Sequence, residues 1–146
     1  MSIGFIYSKD VLIKAKKADG TYYPLFCVED LTISTRKGLV ETVGTDGGGW
    51  DEYTYDKRRG WELQMSGVSV LSNDSTGWTL ADIWTHHESF NTLEIKIYMT
   101  DVNSTQMVKK GTVLTSELGL AASMTGGEKA KWSLALKGTG KLEDEI

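Results

Sequence analysis

The chain has 146 residues, with 16 basic against 20 acidic side chains for a formal charge of −4, and it carries one cysteine, one proline and sixteen glycines. That length fits one domain able to bury roughly two thirds of its unfolded surface without staples. A lone Cys27 excludes an intramolecular disulfide, and the acidic balance argues against a protein that grips nucleic acid through its phosphates.

The N-terminal ten residues lack a basic region followed by a long apolar run, and no apolar stretch approaches membrane-spanning length. Val11 to Lys16 reads as a strand, Asp19-Gly20 closes a hairpin, and Tyr22 to Val28 is its partner. Pro24 cannot donate to a ladder, which puts that partner at an edge or its first residues outside the pairing. Cys27, between Phe26 and Val28, reads as a core thiol in a reducing compartment. From Asp30 to Thr35, Leu31 and Ile33 alternate with Thr32 and Ser34, the period of a strand with one buried face.

Between Arg36 and Gly60 the pattern gives way to charges, glycines and aromatics, too long a stretch to be plain coil in a compact domain. It is expected to be a partly extended hairpin arm. Within it, Gly47-Gly48-Gly49-Trp50-Asp51-Glu52-Tyr53 joins the backbone hardest to order to rings that supply large contact area, a combination suited to ordering on a partner. No helix or Lys-Ser/Thr pair follows the glycines, so a phosphate-cradling loop is not indicated.

Trp61, Leu63, Met65, Gly67, Ser69 and Leu71 then alternate with Glu62, Gln64 and Ser66 as another half-buried strand that ends at Ser72-Asn73-Asp74. Leu80, Ile83, Trp84 and His87 fall at helical spacing after Thr79, with Asp82 completing a capping-box variant, so a helix is expected over about 80–90. Strands follow at Leu93 to Met99, Val108 to Met124 and Lys129 to Gly140, the first closed by a turn at Asp101 to Ser104 and the last two joined through Thr125-Gly126-Gly127-Glu128. The acidic end, 141–146, is expected to be loose. The fold class is mainly β: a two-sheet antiparallel sandwich or partial barrel with one flanking helix and an arm over about 36–59.

Two constellations invite chemistry. Asp82 and His86 have metal-sharing spacing, but no third ligand is evident, and the expectation is that His87 packs on the apolar stripe while His86 faces water. Asp51 and Glu52 beside Trp50 and Tyr53 resemble a sugar-cleaving pair, but follow three glycines rather than a rigid element. No nucleophile signature is present. No catalytic residue, metal or cofactor is therefore assigned, and a carbohydrate-binding sandwich using Trp50 and Tyr53 remains the alternative of a different class.

In order and spacing, Lys9 to Lys14, Asp30 to Ser34, Gly47 to Tyr53, Gly60 to Gly67, Leu114 to Leu118 and Trp132 to Gly140 resemble the major tail (tail tube) proteins of long-tailed phages, the TP901-1-like group. The resemblance implies a non-enzymatic subunit of hexameric rings that stack into a hollow conduit. DNA would pass through it without specific binding. The implied partners are the chain itself and tail-tip, tape-measure and tail-terminator proteins, with no membrane. The implied location is the virion tail, after synthesis in the host cytoplasm. By position it makes the arm the element that reaches the adjacent ring, with Gly47, Gly48, Gly49, Trp50 and Tyr53 as ring-stacking candidates. Glu62, Glu94 and Glu117 are candidates for acids facing the lumen. A tube subunit of a bacterial secretion or contractile injection system is the alternative within the same architecture.

Overall fold

A computed structural model of the chain describes residues 3–25, 28–42, 52–69, 71 and 77–145. Among them the elements are β1 Ile6–Lys16, β2 Tyr22–Pro24, β3 Val28–Thr42, β4 Glu52–Val68, α1 Leu80–Glu88, β5 Leu93–Asp101, β6 Gln106–Ala121 and β7 Lys131–Glu145. The strands form one antiparallel sheet in the order β2-β1-β5-β6-β7-β4-β3. The described residues are thus mainly β with one helix, as the periodicities predict. The expected two layers are not separately bonded: one sheet curls until its ends face each other across a cleft of about 380 Å³ between Val11 to Leu25 and Val28 to Leu31, without closing.

Alternation explains which face curls inward. Leu63 and Met65 of β4, Ile95 and Ile97 of β5, Val113 of β6 and Leu134 and Leu136 of β7 are all buried. They form one cluster with Ile13, Ala15, Leu25, Leu80 and Ile83, against which Leu31 and Ile33 of the far edge also pack. Three tryptophans in this core each donate their indole N–H to a backbone carbonyl: Trp78 to Ala15 at 2.9 Å, Trp132 to Val68 at 3.0 Å and Trp61 to Gly140 at 3.2 Å. Each indole therefore buries its large apolar body without leaving its one donor unpaired.

The helix starts where its cap demands. Thr79 Oγ1 accepts from the Asp82 backbone N–H and the Asp82 carboxylate accepts from the Thr79 N–H, a complete capping box. Asp82 also receives Lys17 Nζ at 3.2 Å, which fastens α1 to the turn after β1. Ile83 buries its side chain in the sheet and His87 Nδ1 lies 2.9 Å from Thr115 Oγ1 of β6.

Several boundaries differ from the sequence reading. The hairpin partner of β1 is only Tyr22–Pro24; Leu25 still donates to Ile13 O at 3.4 Å but bridges Trp78 on its other side. The alternation of β4 stops at Val68, and Leu71 is exposed rather than core-facing. The acidic end is not loose: β7 runs to Glu145, Asp144 pairs with Lys109, and Leu142 packs on the core. At the other end, Val102 N–H donates to Phe5 O at 3.1 Å, and β1 begins at Ile6. No helix among the described residues is long and apolar enough to cross a membrane.

Candidate functional site

Of the segment over 36–59 that breaks the sequence pattern, the described parts, 36–42 and 52–59, are strand. β4 pairs with β7 only from Glu62 to Val68, whereas its ladder with β3 continues outward to Thr42↔Glu52. From Thr35 to Thr42 this leaves a two-stranded ribbon roughly 24 Å long at the usual rise per residue. Such a ribbon is marginal by itself, and its composition makes it more so. Direct register puts Leu39 with Tyr55 and Glu41 with Tyr53 on one face. Leu39 is 59% exposed, Tyr53 58% and Tyr55 72%. An unsupported ribbon showing that much apolar and aromatic surface has the composition of a contact surface.

The ribbon has a built elbow. Register slips between Lys37↔Arg59 and Leu39↔Tyr55, so that β4 carries extra residues opposite Gly38. The Asp56 carboxylate fills the bulge: it accepts from the Arg58 backbone N–H and, at 3.0 Å, from Arg58 Nε. A Cβ on Gly38 would lie 2.7 Å from that carboxylate, so only glycine leaves room for it. The two hydrogen bonds from Arg58, backbone first, hold the Asp56 carboxyl below the usual carboxylate range.

Of the ring-stacking candidates, Tyr53 sits on the exposed ribbon face, while Gly47, Gly48, Gly49 and Trp50 lie outside the described residues. The ribbon adds Leu39, Tyr55 and the elbow of Gly38, Asp56 and Arg58, which sequence reading missed. Tyr53 and Tyr55 at i, i+2 were a legible sign of a strand face; the elbow depends on register and was not.

All three lumen candidates stand on the outward side of the sheet. Glu62 and Glu117 share the outward sheet face, where a shallow trough of about 360 Å³ runs over Asp30, Thr32, Gln64, Ser66, Glu117 and Ser133. Glu62 stands opposite Ser34 on one side and Lys137 on the other. Glu94 stands on β5 opposite Thr112, where Lys16 at 3.1 Å holds its carboxyl below the usual range.

The histidine expectation is corrected. His86 does not face water through its ring: it meets Trp78 edge-on at 6.0 Å between centroids, and its Nε2 is buried without a hydrogen-bond partner. Burial, with a smaller push from His87 and against a hydrogen bond to the Asn91 backbone, lowers the pKa of His86. It borders an open groove of about 870 Å³ between the β1–β2 hairpin and α1. There Asp82 is committed to Lys17 and the helix cap, so the Asp82/His86 spacing does not make a shared ligand pair.

No protein-family model matches this sequence, and no curated protein does. Solved structures do share its fold. A chain from the tail of an empty gene transfer agent particle, determined with C6 symmetry, superposes with a TM-score of 0.73 at 20% identity, over 96% of this chain and 98% of that one. A chain of the six-fold symmetrised anti-feeding prophage baseplate gives 0.69 at 10% identity, over 99% and 97%. The SPP1 tail tube gives 0.68 at 11% identity, over 94% and 78%.

Proposed function

We propose that the chain is a structural, non-enzymatic subunit of a tail tube, whose copies join as hexameric rings that stack into a hollow conduit for DNA. The observation that carries this reading is the two-stranded ribbon with Leu39, Tyr53 and Tyr55 uncovered, on a fold shared over nearly its whole length with the tail of a C6-symmetric particle. Repeated head-to-tail contacts that close by rotation make rings, and axial repeats make tubes. The ribbon supplies the axial contact, with 47–50 and Tyr53 ordering against the adjacent ring. The acids proposed to line the bore are Glu62, Glu94 and Glu117, all on the outward side of the sheet, with Glu94 paired there to Lys16. A surface of small polar groups and a few acids gives DNA little to hold.

Within this reading the chain is a major tail protein of the TP901-1-like kind, located in the virion tail. It would meet terminator, tape-measure and tip proteins at the ends of its tube. Tubes of contractile injection systems are the second reading, favoured by the fold shared with the PVC sheath-tube complex at a TM-score of 0.65. Molecular mass in solution with negative-stain microscopy tests the class: rings or tubes are expected at high concentration, and a chain that stays monomeric at millimolar levels sinks it. Removing Lys37 to Asp56 should abolish stacking and leave the body folded.

A further inference from the structure

We infer that the chain carries a second stacking contact besides the ribbon: an apolar hook over 3–7, together with the β5–β6 turn, which seats on the opposite end of a second copy. The inference rests on the tube reading. Register defines the two ends of the sheet. Ile6 pairs with Asp101, Val108 with Glu145 and Glu62 with Lys137, so the hook, the β5–β6 turn and the end of β7 share the end from which the ribbon projects. At the other end β5 starts at Leu93, β6 stops at Ala121 and β7 starts at Lys131. The eleven residues of β1 put the two ends about 35 Å apart.

The hook is held in place. Val102 N–H donates to Phe5 O at 3.1 Å, and a Cβ on Gly4 would collide with the Asp101 carboxylate, so glycine lets the chain lie against the turn. Asp101 is itself engaged by the N–H groups of Asn103 and Thr105, at 2.9 and 2.8 Å. Yet Ile3, Phe5, Ile6, Tyr7, Val102 and Met107 are all exposed, Ile3 to 74%. An apolar surface of this extent, on the order of several hundred Å², marks an interaction site.

The opposite end has a matching surface. Phe90, in the loop from α1 to β5, and Met124, in the β6–β7 turn, stand in solvent, and Leu120 beside them on β6 is half exposed. On the outward face between the ends, β4 and β7 present Glu62, Gln64, Ser66, Ser133 and Lys137. Two apolar ends that cannot meet within one chain can meet head to tail between copies, a contact that repeats along an axis. Area gives a second reason. Leu39, Tyr53 and Tyr55 of the ribbon expose roughly 400 Å², about half of what each partner contributes to a specific interface. The hook, on the same end, supplies the remainder.

Two variants of the full-length chain test this. Phe5→Glu with Val102→Glu blocks the hook end, and Phe90→Glu with Met124→Glu blocks the receiving end. Both should melt like the parent and still form rings, since these side chains are exposed. Each should need about tenfold or more protein to form tubes, because a stacked ring would bury unpaired charge. Mixing the two leaves one good contact per pair, so particles of twice the mass of either variant alone should appear, and no tubes. If a glutamate pair does not fold, serine at the same positions serves with the same expected direction. Unchanged tube formation by either folded variant overturns the contact. So does a loss of rings, which would place the surface between neighbours in one ring, or doubling by the Phe90/Met124 variant alone, which would make the hook ends pair with each other. A parent that forms neither rings nor tubes takes the tube reading down as well. If the parent forms tubes, removal of Lys37 to Asp56 blocks them and the end variants do not, only the hook contact is wrong.

Discussion

The indole of Trp61 lies across the backbone of Gly138, so closely that a Cβ at that position would fall inside the ring, and its N–H reaches on to Gly140 O at 3.2 Å. Gly111 receives the same indole from the β6 side. Trp61 is where β4 leaves the body to become the ribbon, so this contact anchors the arm's root. Gly138→Ala should destabilise the fold by about 1–3 kcal/mol through overpacking, read as a lower denaturation midpoint. An unchanged midpoint would mean the indole can shift at little cost.

Replacing Leu39, Tyr53 and Tyr55 together by serine should leave the stability of the isolated chain within about 0.5 kcal/mol, since exposed side chains away from special features contribute little. The same variant should fail to form tubes in the microscope. A large loss of stability would show instead that these side chains pack on their own body.

Trp50 gives a direct optical test of the arm. The difference in emission between the parent and Trp50→Phe should shift to shorter wavelength when rings stack, as the indole leaves water. A difference spectrum that is the same before and after assembly excludes Trp50 from the contact.

The elbow should matter to assembly and not to folding. Asp56→Ala removes the acceptor for both Arg58 donors, and Gly38→Ala pushes a Cβ into the carboxylate. Both variants should melt like the parent yet require more protein to form tubes. Normal tube formation by both would mean the ribbon takes its direction from elsewhere.

Thr79→Ala takes one half of the capping box from α1 and should cost about 1 kcal/mol. Thr79→Ser, which keeps the hydroxyl, should recover most of the loss in the same denaturation series.

His86 predicts the pH dependence. Its folded pKa is lowered from 6.5, chiefly by burial, so the folded state prefers the neutral ring. The unfolded chain then binds more protons just below that value, and stability rises with pH through this range. The contribution is full above pH 6.5 and is lost as pH falls below it toward the folded pKa. His86→Leu removes the buried, unpartnered Nε2 and should flatten the decline between pH 7.5 and 5.5. An identical slope in the variant would assign the decline to other groups.

Much of this architecture was legible residue by residue. Leu93 to Met99 and Trp132 to Leu136 alternate without exception, and Thr79 with Asp82 announces the helix, because strand and helix periods are set by local backbone geometry. The arm was legible as an interruption, but its strand character was not: Leu39, Val40, Tyr53 and Tyr55 alternate against one another only once register is known. The acidic end was misjudged because charge says nothing of Leu142, which finds the core, or of Asp144, which finds Lys109.

The sequence by itself determined the class of fold, the inward residues of each strand, the start of α1 and the composition of the arm, since all of these follow from short-range pattern and side-chain chemistry. Only the tertiary structure decided that the described strands make one curled sheet, that Gly38 and Asp56 share an elbow, that Lys16 holds Glu94, and that Lys14, Lys96 and Lys110 stand in line. Those facts depend on which strands pair and in what register, and register is fixed by contacts between residues far apart in the chain.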